Sequence, residues 1–206
     1  MEIRWLGHSC FKVTHAGYSV VLDPYKPDMV PGLRELHVSA NEVLCSHEHE
    51  DHNYRKAVTI EKTKAPSPFT IERIPSFHDA VNGSRRGQSL ITVLSAGGMR
   101  VAHLGDQGCL LNPKQVARLL NLDALMIPVG GFFTIGPKEA AEIVGLLQPK
   151  VVIPMHYRGR DFGFPALEKA EAFTKLLRER KTISYPIDTL VLENIKEPQT
   201  AVLKYL

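Results

Sequence analysis

Residues His47, Glu48, His49, Glu50, Asp51 and His52 place four strong metal-binding side chains within six positions, in the pattern His-x-His-x-Asp-His. Imidazole and carboxylate are common ligands of first-row divalent cations. The stretch follows a short apolar run, Val43-Leu44-Cys45, and is expected to emerge from the end of a strand. In extended backbone, residues two apart point to the same side. On that reading His47 and His49 grip one ion together. Asp51 and His52 come after the chain has begun to turn, where they can face a second ion. Glu48 and Glu50 alternate with the histidines and should point into solvent. The chemistry implied is that of a metal-dependent hydrolase.

Such a site needs further ligands, and the chain has them just beyond other apolar runs. Asp23 follows Val20-Val21-Leu22, and His78 follows Ile74-Pro75-Ser76-Phe77. Asp106 follows the run over 101–104 and Gly105, which permits a tight turn. His156 follows Val151-Val152-Ile153-Pro154-Met155. A loop at the end of a packed strand holds a functional group rigidly while leaving it accessible.

The elements that must position these residues are legible as patterns. Runs over 3–6, 10–13 and 18–22 read as a β-meander punctuated by Gly7 and Ala16-Gly17. Asp23-Pro24 stops it, because proline cannot donate to a ladder. Residues 25–41, with Pro27, Pro31 and Gly32, read as a surface loop. Strands are expected over 57–60 and 70–74, and a hairpin over 89–94 and 99–104 around Gly97-Gly98. The second half alternates helix and strand. A helix over 113–120 has Asn112 as its cap and Pro113 in its first turn. Buried strands are expected over 124–128 and 151–154. Gly136-Pro137 opens a helix with Ala140, Ile143, Val144 and Leu147 on its apolar face. A third, amphipathic helix is expected over 166–179, and strands over 190–192 and 201–203. Two sheets packed face to face, with helices outside, fit this count as one domain over 1–206.

Composition narrows the class. A chain of 206 residues with 44% hydrophobic content can bury a sizeable core. Its net charge of +3, with no run of like charges, is not the dense Lys/Arg footprint of a nucleic-acid binder. Cys10, Cys45 and Cys109 are odd in number and far apart, which argues against a disulfide framework and for a reducing compartment. Neither a signal peptide nor a membrane span is visible, so a cytoplasmic protein is expected.

Taken in order, Asp23, the 47–52 cluster, His78, Asp106 in His103-Leu104-Gly105-Asp106, and His156 in Ile153-Pro154-Met155-His156-Tyr157 resemble the five motifs of the metallo-β-lactamase superfamily. The likeness covers essentially the whole chain. It is most similar to the small single-domain branch related to ascorbate-6-phosphate lactonase. Trp5-Leu6-Gly7-His8-Ser9, the stretch 130–137 and the stretch 149–157 carry that finer likeness. The resemblance implies an α/β (α+β) four-layer αββα sandwich with metals at one edge. It implies His47, His49 and His78 on a first ion, Asp51, His52 and His156 on a second, and Asp106 bridging. Two divalent ions are expected, zinc first, with manganese, nickel or iron compatible with the same donors.

A water shared by two cations becomes hydroxide near neutral pH, and one ion polarises the scissile carbonyl or phosphoryl group. Asp51 is then a candidate catalytic proton acceptor as well as a ligand. Asp23 is expected to orient a ligand histidine by a hydrogen bond. His8 reads equally as a site neighbour or a structural histidine, and His103 as a supporting or core residue. His15 and His37 read as surface, and Cys45 and Cys109 as buried small apolar residues. Phe132 and Arg158 are the candidate substrate contacts, with core and surface roles as their alternatives. Arg85, Arg86 and Arg160 are further positives.

The expected reaction is hydrolysis of a small ester, lactone or phosphoester, with an anionic substrate as an explanation for Arg158. The alternatives are a nuclease or phosphodiesterase of the same superfamily, a non-hydrolytic di-iron redox protein, and a non-catalytic metal-binding protein. Relatives of the first kind usually carry an added substrate-binding arm, and those of the second typically replace His49 with Glu. A small-molecule partner is expected, with no membrane and no nucleic acid. A homo-oligomer is left open.

Overall fold

Strand periodicity divides the apolar residues of the N-terminal meander between two cores. Strands β1 (Glu2–Gly7), β2 (Cys10–His15) and β3 (Tyr18–Leu22) pair antiparallel in succession. Phe11, Val13, Val20 and Leu22 turn into the main core, while Cys10 and Val21 turn the other way into a second, smaller cluster. Strand β5 (Glu42–Leu44) joins β3 in parallel, and β13 (Thr189–Val191) closes the opposite edge of this five-stranded sheet. The computed structural model describes residues 1–206.

The stretch over 25–41, expected as a surface loop, is instead the cover of this sheet. Tyr25, Val30 and Leu36 are buried against Cys10 and Val21. The Tyr25 hydroxyl donates to the Leu6 carbonyl at 2.9 Å. Strand β4 (Val38–Ala40) lies within the stretch and pairs in parallel with β6 (Val58–Ile60). The reason is physical: an outward apolar face on β2 and β3 must be covered by something. Here a loop and two short strands cover it, and no α-helical residue belongs to that cluster.

The second sheet has seven strands. Its order is β12 (Lys181–Ser184), β14 (Gln199–Val202), β11 (Val151–Met155), β10 (Ala124–Pro128), β9 (Met99–His103), β8 (Gln88–Ala96) and β7 (Thr70–Phe77). Gly97 and Gly98, at φ +57° and +75°, form the β8–β9 turn, a conformation glycine adopts without penalty. Strands β10 and β11 are buried at every position, as parallel strands covered on both faces should be. Helix α1 (Pro113–Arg118) is capped reciprocally: the Asn112 side chain accepts from the Gln115 N–H, and Gln115 Oε1 accepts from the Asn112 N–H. Helix α2 (Pro137–Leu147) buries the four apolar residues expected of it.

The third helix is much shorter than the apolar pattern predicts, with α3 confined to Ala170–Thr174. Its expected first turn is used elsewhere. The Glu168 N–H donates to the Gly130 carbonyl, and the Glu168 carbonyl accepts from the Arg158 N–H. Beyond Thr174 the chain continues in i→i+3 turns to Arg180, with Leu176 exposed. Strand β12, mostly exposed, had no strong apolar pattern to announce it. No helix is long and apolar enough to cross a membrane.

Strand direction positions the site. Strands β1, β3 and β5 run the same way in one sheet, and β7, β9, β10 and β11 run the same way in the other. The residues that follow their carboxyl ends converge at one edge of the sandwich, where open α/β sheets commonly bind ligands.

Candidate metal centre

Each candidate ligand sits just past one of these strands. His8 follows β1, Asp23 follows β3, the 46–52 loop follows β5, His78 follows β7, Asp106 lies three residues past β9, and His156 follows β11. Three of them occupy left-handed backbone: His8 at φ +50°, Asp23 at +47° and His156 at +52°. Non-glycine residues take this conformation at a cost on the order of 1 kcal/mol or more, and such strain concentrates at functional sites. Gly105, at φ +56°, lies where the two sheets meet behind the site. A Cβ there would fall 2.5 Å from the Ser46 Cβ.

The His-x-His segment is not a strand extension. Strand β5 ends at Leu44, and the chain bends over 46–48. A tight turn follows, in which the N–H groups of His52 and Asn53 both donate to the His49 carbonyl at 2.9 Å. His47 and His49 converge through this bend, with ring centroids 4.6 Å apart, rather than through strand alternation. Glu48 and Glu50 are exposed, and Glu50 pairs with Lys26 at 2.6 Å.

One buried carboxylate organises the loop. Asp23 Oδ1 accepts the Ser46 N–H and Oδ2 accepts the Ser46 hydroxyl, each at 2.6 Å. Asp23 Oδ2 also lies 2.9 Å from His52 Nδ1, and Ser46 Oγ lies 2.8 Å from His47 Nδ1. With the hydroxyl hydrogen committed to Asp23, His47 Nδ1–H donates to Ser46 Oγ. Asp23 thus fixes His52 directly and His47 through Ser46. This network assigns the tautomers that leave both Nε2 lone pairs facing the site.

Candidate ligand atoms fall into three groups, one made of Asp23, His47 and His52 in the supporting network and two beside Asp106. Of the latter two, His47, His49 and His78 form the first, and His8, Asp51, His52 and His156 the second, with the atoms of each group within 4.8 Å of one another. Asp106 Oδ2 lies 3.2 Å from His52 Nε2 and His78 Nε2, 3.5 Å from His156 Nε2 and 3.9 Å from His47 Nε2. His47 Nε2, His52 Nε2 and Asp106 Oδ1 are buried without a hydrogen-bond partner. Leaving such a group unsatisfied costs about 1–3 kcal/mol. Imidazole nitrogens and a carboxylate converging on shared points satisfy the donor requirements of divalent cations.

Electrostatics favour the ligating forms of His47, His78 and Asp106, and oppose that of His52. Burial lowers His78 and pushes His47 down to about 4. Burial also lowers His8 to about 3, assisted by His156 beside it. Burial would raise Asp106, but His52 and His156 outweigh it and hold the carboxyl well below its usual range. Burial would lower His52, but Asp106 and Asp23 raise it well above its ordinary value. A cation at His52 therefore has a proton to displace.

Other histidines and cysteines separate clearly. The His8 ring lies 4.1 Å from that of His156 and its Nε2 lies 3.5 Å from Asp51 Oδ2, so His8 adjoins the second group. His103 is buried, with Nε2 2.8 Å from the Ser9 carbonyl and Nδ1 accepting the Gly105 N–H at 3.1 Å, so backbone occupies both its nitrogens. Cys45 is buried, whereas Cys109 is only partly so, a departure from the expectation for both.

Neither expected substrate contact lines the cavity. The Arg158 side chain donates to the Leu167 carbonyl at 2.6 Å and so ties two loop segments together. Phe132 is 66% exposed at φ +60°, and the Phe133 N–H reaches back to the Gly131 carbonyl at 2.7 Å. That tight turn sends Phe132 outward and leaves Phe133 on the cavity. Met29, Arg86, Phe133 and Phe164 share a cavity of about 350 Å³ with His49, Asp51, His78, Asp106 and His156. Phe133 lies five residues beyond β10, so the strand-end rule that finds His78 could have found it.

Arg86 belongs to a loop anchored by Asp79. Asp79 Oδ1 accepts the Val81 and Gly83 N–H groups and Oδ2 those of Arg85 and Arg86, all at 2.8–2.9 Å. Burial opposes ionisation of Asp79, but these four donors hold its pKa at about 2.

Relatives share this architecture. The beta-lactamase superfamily domain family matches residues 2–156. A UPF0173 protein of Pyrococcus abyssi is 31% identical over 206 aligned residues, covering 88% of this chain and 92% of that one. A UPF0173 metal-dependent hydrolase of Thermus thermophilus is 28% identical over 214 residues, covering 87% and 92%. The crystal structure of a candidate Zn-dependent hydrolase of the metallo-β-lactamase superfamily from Thermotoga maritima superposes with a TM-score of 0.74. It is 34% identical, and the match covers 98% of this chain and 97% of that chain. The chain belongs to the metallo-β-lactamase superfamily, within its UPF0173 family of metal-dependent hydrolases.

Proposed function

We propose that this protein hydrolyses a small ester, lactone or phosphoester at a pair of divalent cations, with zinc as the first choice. The observation that carries the reading is the convergence of His47, His52, His78 and His156 Nε2 on one Asp106 oxygen, within 3.2–3.9 Å. His47, His49 and His78 would hold one ion, Asp51, His52 and His156 the other, and Asp106 would serve both. Such cations, when bound, lower the pKa of water toward neutrality and polarise the substrate oxygen.

The chain's own residues do the rest. Asp23 and Ser46 hold the ligand imidazoles in register. Asp51 would be the proton acceptor by its place in the cavity; burial would raise its carboxyl, but His8 and His52 outweigh it and keep it ionised at neutral pH, as a ligand must be. Phe133, Phe164 and Met29 form the apolar wall against which a small substrate packs.

Elemental quantification of the purified protein, paired with a screen of generic esters, lactones, phosphomonoesters and phosphodiesters, tests the reading. The expected result is two metal equivalents and turnover in at least one class, both reduced in His47→Ala. Normal turnover by metal-repleted His47→Ala overturns the ligand assignment. Bound iron with visible absorbance, and no hydrolysis, favours the redox alternative.

A further inference from the structure

We infer that Arg86 is an anion-reading group of this cavity, so that the ligand it takes carries a carboxylate or phosphate beside an apolar face. Four observations support this assignment. The Arg86 guanidinium lies on the cavity wall, 5.8 Å from the centroid of the Phe133 ring. Stacking of that kind holds the planar fork in place while leaving its edge N–H groups free. No carboxylate lies within 4.0 Å of it, although most other cavity-facing ionisable groups are closely paired. The half-buried guanidinium also makes no hydrogen bond to the protein, so its bidentate face is unused. Asp79 pins the backbone behind it with four hydrogen bonds, so the charge sits on a fixed mount rather than a free surface loop.

The rest of the cavity agrees with a small anionic guest. The Phe133 and Phe164 rings meet edge to face at 5.5 Å, and with Met29 they offer an apolar wall next to the cation. A volume of about 350 Å³ is at the small end of the range for small-molecule sites. Asp51 and Asp106 line the same cavity as Arg86 and would repel an anion by themselves. Cations held by the candidate ligands would reverse that field, so anion binding should require the metal-loaded protein. Calling the guest a substrate rests on the hydrolytic reading above, whereas the anion site rests on the cavity itself.

The test is calorimetric binding of phenylphosphonate, phenylacetate and neutral phenylacetamide to the zinc-loaded full chain and to zinc-loaded Arg86→Met. The wild-type protein is expected to bind both anions. Arg86→Met should bind them about 10- to 100-fold more weakly, with phenylacetamide affinity and zinc content unchanged. Arg86→Lys, which keeps the charge but not the fork, should fall between. Whichever anion binds the wild type more tightly identifies phosphate or carboxylate as the preferred group. Equal anion affinity in wild type and Arg86→Met overturns the inference, as does an equal loss for all three compounds or a wild type that binds neither anion. No turnover is read, so a chain that hydrolyses nothing would sink the hydrolase reading and leave this result intact.

Discussion

The two halves of the candidate metal centre are built in opposite ways. The five-stranded sheet supplies the contiguous loop over 46–52, made rigid by one buried carboxylate, Asp23, and by the turn at His49. The seven-stranded sheet supplies His78, Asp106 and His156, which are far apart in sequence and share only the fact that each follows a strand running toward the same edge. Local geometry creates the first half, and strand direction creates the second. The scattered half exists only when the seven-stranded sheet is assembled, so metal binding through it would be tied to folding. The contiguous half needs only Asp23 and a short turn.

Asp106 is where the halves meet, and removing its charge should have the largest effect. Asp106→Asn keeps the shape while removing the anion that four imidazoles face. Metal content should fall by at least one equivalent and turnover by roughly 10³-fold. Near-normal metal content and rate in Asp106→Asn would show that the halves bind independently.

The next effect separates direct from relayed support within the contiguous half. Asp23→Ala removes the partner of His52 and, through Ser46, that of His47. Zinc affinity, measured by competition with a chelator, should weaken by about 10- to 100-fold. Ser46→Ala removes only the His47 link and should cost less. The reverse order, with Ser46→Ala worse than Asp23→Ala, would mean that His47 rather than His52 anchors the loop.

This contrast also explains what could be read in advance. The 47–52 cluster is legible because its chemistry and its proximity are both local. His78, Asp106 and His156 are legible because apolar runs mark the strands before them. The same rule, applied to β1 and β10, points to His8 and Phe133, yet residue type alone left the first ambiguous and drew attention to Phe132 instead. What no local pattern could give is direction within a turn. Only the left-handed backbone at Phe132 decides which of two adjacent rings meets the cavity. Arg158 stands off the cavity for a related reason: closeness in sequence to His156 says nothing about which carbonyl its guanidinium will satisfy. The cover over 25–41 was hidden because prolines and glycine signal a loop, while the outward face of β2 and β3 that buries it is encoded elsewhere in the chain.

His8 then offers a finer test of the strand-end rule. It adjoins Asp51 and His156 without facing the first group. His8→Gln should slow turnover by about tenfold and leave the metal of the first group in place. Metal loss as severe as in Asp106→Asn would make His8 a primary ligand rather than a neighbour.

The smallest effect concerns the mount of Arg86 in the scattered half. Asp79 has a pKa of about 2 in the folded chain against an ordinary value of 3.8. A depressed carboxyl stabilises the fold above its unfolded value, and that contribution is lost as pH falls through the folded value. Metal-stripped wild type should therefore melt above metal-stripped Asp79→Asn at neutral pH, by a margin smaller than any of the effects above. The gap should begin to close below about pH 5, be small near pH 2 where about half of the folded chains are still ionised at this position, and vanish only below that. Stripping the metal keeps ligand protonation equivalent in the two proteins, so the difference reports the loop alone. Parallel melting curves down to pH 2 would show that the four N–H contacts do not depend on the charge, and that the loop bearing Arg86 is held by β7 and β8 rather than by Asp79.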